Sequence, residues 1–437
     1  MNCKLIFSLL ILMAFSIDMN AKDTKYVVYL TDFGDTSPNN IDSTFKKAIA
    51  QIDGKCLILP NKDLLCGDII IEGKNNFVIR GSKKYLVSCK HFQLKNSSNF
   101  EIINLKEFGT RKNFSYFDII GDCHNFYIHN CSFNSEKDSV NNNTFYGIHV
   151  CCEATNPGFN ETNSPRNFKI SNNLVKNSKY DGILVHSCCT NFTVNNNIVE
   201  NPQCIGIEVE GRTGGNNSTE VHWCRNGKIV NNKISNCGDW GILLMWADNL
   251  TISNNISKDA LGCFLSIGCK NSKITNNVLE GKQKGFEISQ EYYSVNKGFN
   301  DNMIISNNII KGRARSNNRG VLDIRHSKNI HIFNNKITAY YFDSSAYLSV
   351  ASSQSVIING NNFYLYDKPL SAAVLIDNVV DPETKEKIKA LNIKKLTISY
   401  NHFGKTEKNI INNLGDVLDF DSFNRNNRFT LKQVLPF

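Results

Sequence analysis

Two glutamates, Glu208 and Glu210, flank a valine in Gly206-Ile207-Glu208-Val209-Glu210. In an extended strand they point the same way, with Cβ atoms about 7 Å apart, while Ile207 and Val209 point the other way. Two carboxyls so spaced suit hydrolysis of a glycosidic bond, one giving a proton to the leaving oxygen and the other activating water. Crowding would raise the proton affinity of one of them, as a general acid needs. The same pair could instead hold Ca2+ in an enzyme that removes a proton next to a substrate carboxylate, ending in elimination or in epimerisation at that carbon. In that chemistry His186, Arg212 or Arg325 would serve as base or charge clamp. The bland alternative is a solvated face, which is where outward acidic and basic residues usually sit.

Positioning these residues is the task of a repeat. From Phe168 to Gly211 the chain says the same thing twice: a short alternating strand, an Asn pair, an apolar pair, a polar turn, then Gly-Ile-x-Val. The second Asn of the pair, or its equivalent, recurs at Asn173, Asn197, Asn232, Asn255, Asn277, Asn308, Asn335, Asn362 and His402. A period of about 22 to 24 residues with very short strands and no helical pattern predicts a parallel β-solenoid. Asn at each turn tolerates left-handed backbone, and its amide can bond to the same residue one coil away. Insertions at 152–166, 212–226, 282–302 and 311–318 mark loops that leave the stack.

Laying the coils in register predicts two outward rows. One reads His149, Leu184, Glu208, Leu243, Phe264, Glu287, Asp323, and the next Cys151, His186, Glu210, Met245, Ser266, Ser289, Arg325. Acidic, basic and His residues gather at Glu208 and Glu210, and the following coils turn aromatic with Trp240, Met245 and Trp246. The 212–226 insertion starts at the Glu pair with Arg212 and adds His222, Trp223 and Arg225. The expected arrangement is a cleft wall beside a sugar-stacking surface, because aromatic rings pack on apolar sugar faces. Substrate contacts are expected from Arg212, His222, Trp223, Trp240, Trp246, Glu287, Asp323 and Arg325, and catalysis from Glu208, Glu210 and His186.

The chain has 437 residues and a formal net charge of +9, which favours acidic partners such as uronate-bearing or sulfated polysaccharide. The basic residues are scattered without a nucleic-acid-binding motif, so nucleic acid is not expected. Lys4, the apolar run from Leu5 to Ile17 and the end at Ala21 predict a cleaved signal peptide over 1–21 and an exported protein, secreted or periplasmic. That run is too short for a bilayer span, so no stable membrane insertion is expected. The 15 cysteines include Cys151-Cys152 and Cys188-Cys189 at equivalent places in successive coils, which read as stacked small core residues, with disulfides between the adjacent pairs as the alternative. No Cys or His spacing reads as a zinc site. One solenoid domain is expected over 22–437, with a capping segment at 26–60, regular coils at 120–403 and a C-terminal cap at 404–437. In the first of these, Asp42 or Ser43 would cap a helix with Phe45, Ala48, Ile49 and Ile52 on one face.

The segment Asp32-Phe33-Gly34, then Phe45 with Ala48-Ile49, then Leu57-Ile58-Leu59-Pro60, resembles the opening of pectin-lyase-like β-helix proteins. The resemblance implies an all-β, single-stranded right-handed parallel β-helix and a carbohydrate substrate. It does not reach a particular family. The Asn-Thr-Asp, Asp-Asp, Gly-His-Gly and Arg-Ile-Lys motifs of polygalacturonase-type hydrolases are missing, as is the Arg-x-Pro-x-x-Arg pattern of classical pectate lyases. The functional expectation is a secreted enzyme acting on acidic polysaccharide by glycoside hydrolysis, without a cofactor. The alternatives are a lyase or C5-epimerase using Ca2+ or Arg, and a non-catalytic carbohydrate-binding or adhesin solenoid.

Overall fold

Strands of three to six residues bury too little surface to be stable alone, so each must stack on the same strand of the next coil. The computed structural model describes residues 26–108, 117–134, 146–153, 163–213, 221–289, 299–315, 319–340, 345–366, 368–377, 395–412, 423 and 425–429. The predicted signal peptide at 1–21 lies outside them, as do parts of all four insertions. The fold is all-β, a right-handed parallel β-helix. Among the described residues, one 15-stranded sheet begins with Tyr26–Tyr29 beside Lys55–Ile58 and climbs to Thr397–Ser399.

A second connected set of 23 strands contains two more faces, joined because Ile256–Ile267 and Val278–Ile288 run through both. One carries Ser132–Asn134, Leu174–Lys176, Ile198–Glu200 and Lys233–Ser235. The other carries Ile148–Cys151, Ile183–His186, Ile207–Glu210 and Trp240–Met245, and is called the site face below. The Gly of Gly-Ile-x-Val sits at the corner between them. A Cβ on Gly182 would lie 2.2 Å from Val199 Cγ1 and 2.7 Å from the Gly206 carbonyl oxygen, so only glycine fits.

The Asn pairs divide their labour. The first Asn, from Asn172 to Asn334, takes φ of 55 to 58°, the left-handed region it tolerates. The second is buried and forms a ladder: the backbone N–H and Nδ2 of Asn232 donate to Asn255 Oδ1 at 3.0 and 2.9 Å, and Nδ2 also reaches Val194 O at 2.9 Å. Asn173 to Asn335 follow this pattern as expected, but the last rungs are Asn361, Asn401 and Asn427, not Asn362 and His402. There Gly360 and Tyr400 hold the left-handed position, which moves the ladder residue one place earlier and leaves Asn362 and His402 as paired strand residues.

Parallel pairing starts at Tyr26, well before residue 120, and a column of stacked rings from Phe77 through Phe100, Phe126 and Phe168 to Phe192 runs through the irregular early coils. Thr406–Asn412 and Arg428–Phe429 add further parallel rungs. The helix α1, Ile41–Ala50, lays Ile41, Phe45 and Ala48 over the N-terminal end of the core. Its N-cap is Asn40, so Asp42 and Ser43 lie inside the first turn, and Asp42 Oδ1 instead accepts from Gly67 N at 2.7 Å. Among the described cysteines none is in a disulfide, and Cys189 and Cys224 fill the core.

Candidate functional site

On the site face the Cα partners run Asp118, His149, Leu184, Glu208, Leu243, Leu265, Glu287, Asp323 and Ser349. Two places along, Cys151, His186, Glu210, Met245 and Ile267 are in register. Phe264 and Ser266, expected in these rows, point into the core instead. Gly262 aligns with Trp240 rather than with Gly241, and a Cβ there would meet the Trp240 ring at 2.3 Å. That one-residue difference exchanges the two sides of the strand. Leu322 and Ile324 point inward and Asp323 outward, which keeps Asp323 in the predicted row.

Glu208 points away from the core but is not solvated: it is only 7% exposed, because its carboxyl turns to Asp181, 3% exposed, in the turn before Ile183–His186. Burial and the negative charge of Asp181 push the Glu208 carboxyl well above the ordinary glutamate value. Asp181 is also raised by burial, against the hydrogen bond from Glu208 and one from Ile205 N at 2.9 Å. The extra backbone donor settles the charge on Asp181 and the proton on Glu208, which donates across the pair. Glu210 is half-buried, and burial followed by the Asp181 charge raises it to about 7, with Arg212 pulling the other way. Three carboxyls thus hold graded proton affinities. For Glu208 to join the oxygen shell that Ca2+ takes, it would have to give up that proton and turn from Asp181.

His186 lies beside Glu210, with Nε2 3.7 Å from Oε2. Burial, followed by the charges of His149 and Arg212, lowers its pKa to about 4, so it stands as a neutral imidazole at pH 7. The His149 ring centroid is 6.0 Å away, and Tyr146 packs on His149 at 4.8 Å. The phenol of Tyr146 is pushed up by burial and by Asp181, Glu208 and Glu210. Asp118 Oδ1 lies 3.1 Å from His149 Nδ1 and Oδ2 lies 2.6 Å from His91 Nε2. Burial would raise that aspartate, but the bonds from the two histidines outweigh it and hold it below the ordinary value. Donor atoms of His149, Cys151 and His186 lie within 4.8 Å of one another, a cluster that no sequence spacing rule for zinc would find.

After Glu210 the chain leaves the stack as an antiparallel ribbon in which Arg212 faces His222. Residues 214–220 of this insertion lie outside the described ones. The tryptophans do not form the expected open stacking surface. Trp240, 2% exposed, and Trp246 are buried with Leu243, Met245, Leu265 and Ile267 in a second apolar cluster outside the coil, because these side chains have one another to pack on. Trp223 is half-buried at its edge, with Lys270 Nζ 4.3 Å from its ring centroid.

Glu287, Asp323 and Arg325 are likewise not assembled with the Glu pair; Leu243 and Leu265 stand between, putting Glu287 three rungs, about 14 Å, from Glu208. They are buried in a charged cluster of their own. Asp323, 1% exposed, receives Arg325 Nε at 2.8 and 3.0 Å, Arg319 at 3.1 Å and the Ser349 hydroxyl, while Arg315 lies 3.7 Å from Glu287.

The site therefore keeps Glu208, Glu210, His186, Arg212 and His222 in one neighbourhood, and adds Asp181, Tyr146, His149 and Asp118. Asp181 was legible: the position before each Gly in the repeat reads Tyr146, Asp181, Ile205 and Trp240, one acid among large apolar residues. Asp118 precedes the regular repeat, so the register gave no place for it.

Residues 206–368, less than half of the chain, match the family described as periplasmic copper-binding protein (NosD). A comparison with curated protein sequences returns no relative. Among solved structures, the A-module of mannuronan C-5 epimerase AlgE4 from Azotobacter vinelandii is similar, with 11% identity, TM-score 0.54, and coverage of 89% of this chain and 97% of that one. The tailspike gp61 of Pseudomonas phage phi297 is similar too, with 11% identity, TM-score 0.55, and coverage of 87% and 80%. At such identities the likeness is one of fold. The chain therefore has the right-handed parallel β-helix fold that these structures share.

Proposed function

We propose that this β-helix is an exported enzyme that cleaves an acidic polysaccharide by glycoside hydrolysis at the Asp181, Glu208 and Glu210 carboxyls. The observation that carries the reading is the buried Asp181–Glu208 pair, which holds one proton beside the less buried Glu210. Glu208 is the general acid: its proton goes to the glycosidic oxygen as the bond to the anomeric carbon breaks, and Asp181 sets its proton affinity. Glu210 takes a proton from the attacking water, so that acid and base act from opposite ends of a pair two residues apart on one strand. Arg212 and the net charge of +9 suit a uronate-bearing chain. A protein with this fold, the mannuronan C-5 epimerase, supports a saccharide substrate. Export rests on the apolar leader at 1–21.

A second reading has one observation in its favour. Tyr146 and Arg212 flank the carboxyls, a pairing that suits proton removal next to a uronate carboxylate, as in a lyase or C5-epimerase. One assay separates the readings. The protein is incubated with acidic and neutral polysaccharides, with chelator or with added Ca2+, and followed by reducing ends, by unsaturated-product absorbance and by solvent-deuterium uptake at C5. Reducing ends alone support hydrolysis. Absorbance with reducing ends indicates elimination, deuterium uptake without cleavage indicates epimerisation, and binding with no change in the polymer indicates a carbohydrate-binding solenoid. Full activity in both Glu208→Gln and Glu210→Gln would refute the site.

A further inference from the structure

We propose that His149, Cys151 and His186 form a binding site for one transition-metal ion of the zinc and copper class. His149 and Cys151 are two residues apart on Ile148–Cys151 and project from the same side of that strand. Cys151 and His186 are Cα partners on adjacent strands. One ligand atom from each lies within 4.8 Å of the other two, and all three residues are half-buried, so an ion has a way in. Tetrahedral coordination at ordinary Zn–N and Zn–S lengths sets ligand atoms about 3.5 Å apart. Side-chain rotation of about an ångström, which takes the Cys151 sulfur off the Cys152 carbonyl oxygen it meets at 2.8 Å, would bring the atoms to that spacing.

A second observation is independent of that spacing. Metal-binding imidazoles commonly give their other nitrogen to a carboxylate, which fixes ring orientation. Asp118, the Cα partner of His149 on the preceding coil, lies 3.1 Å from Nδ1 and is itself held by His91 at 2.6 Å. The His149 ring is thereby oriented with Nε2 as its opposite nitrogen. Two nitrogens and a sulfur are the wrong donors for Ca2+ or Mg2+, which take oxygen, and the right ones for zinc or copper. With three protein ligands, a fourth position would be left for water or another ligand. None of the three residues falls within 206–368, so the assignment rests on the donors themselves and not on the family match. It is also independent of the hydrolytic reading.

The test uses the full chain, reduced and stripped with chelator. Co2+ is titrated in as an optical probe, then displaced with Zn2+, and Zn2+ binding is measured by calorimetry. One equivalent of Co2+ is expected to produce a thiolate charge-transfer band that Zn2+ abolishes and excess Ca2+ leaves intact. Cys151→Ser should remove the band and, like His186→Ala, weaken Zn2+ at least about 100-fold, and Asp118→Asn should weaken it by about 10- to 100-fold. Far-UV dichroism and melting identify variants that retain the fold. If Asp118→Asn does not fold, Cys151→Ser, which removes one sulfur, decides alone. Unchanged Zn2+ affinity in folded Cys151→Ser and His186→Ala, displacement of Co2+ by Ca2+, or no binding by the wild type would each overturn the proposal.

Discussion

Replacing Asn255 with Ala removes one buried rung of the Asn ladder. The side chain makes four hydrogen bonds: Nδ2 donates to Ile229 O at 2.8 Å and to Asn277 Oδ1 at 2.9 Å, and Oδ1 accepts from Asn232 N at 3.0 Å and Asn232 Nδ2 at 2.9 Å. At a net of about 1 kcal/mol each, their loss costs about 4 kcal/mol, and the buried Ile229 carbonyl and Asn232 N–H left behind add to it. An unfolding entropy of about 0.9 kcal/mol/K for a chain of this length converts that into a fall in Tm of about 4 °C. The control is Asn226→Gly, which removes amide bonds of the same kind on the exposed ladder, to Asn191 at 3.0 Å and from Asn249 at 2.8 Å, while tolerating φ of 57°. Water replaces those bonds, so the control should lose about 1 kcal/mol or less. Thermal melts and urea midpoints of both variants provide the readout. Equal losses, or a fall below about 1 °C for Asn255→Ala, would refute the view that burial makes this ladder a structural spine.

Four further outcomes are expected. Glu208 has a folded pKa raised above the ordinary 4.5, so its contribution to stability is complete below that value and is lost as pH rises toward the folded one; urea midpoints of the wild type should decline from about pH 5 upward, and Glu208→Gln should flatten the slope. Glu210 must be ionised to act as base, so cleavage by chelator-treated enzyme should rise with pH about a midpoint near 7 and fall at least about 100-fold in Glu210→Gln, read from a pH–rate profile. Trp240→Ala should destabilise by about 3 to 5 kcal/mol without changing KM in the folded fraction, because the ring is buried in the second apolar cluster and not offered to sugar. Asp323→Ala should cost about 3 to 5 kcal/mol by leaving Arg325 and Arg319 without their buried carboxylate, measured by denaturant unfolding.

The repeat made the fold legible. Asn pairs and Gly-Ile-x-Val segments fix coil length, and alternation within each strand separates core from outer side, so Glu208, Glu210 and His186 fall on one face from sequence alone. What alternation does not carry is what covers that outer side. Trp240 and Trp246 look like a binding surface until Leu265 and Ile267 are seen packed against them, and that contact depends on a register Gly262 disguises. Asp323 and Arg325 read as substrate contacts because their mutual neutralisation, with Arg319 contributed from the same coil, is a matter of side-chain geometry. The repeat also made sequence reading weakest where it had not yet begun, which is where Asp118 and His91 stand.

The apolar block of Leu243, Leu265, Trp240 and Trp246 is an electrical partition. On one side lie Asp181, Glu208 and Glu210, and on the other Glu287, Asp323 and their arginines, strung along one row of one face. With two hydrocarbon rungs between them, the two clusters stand about 14 Å apart on one scaffold, so a change in one acts on the other only through a long, attenuated field. A coiled wall of this kind behaves as a row of sealed compartments, and new chemistry can enter one compartment while the next goes on holding the wall together.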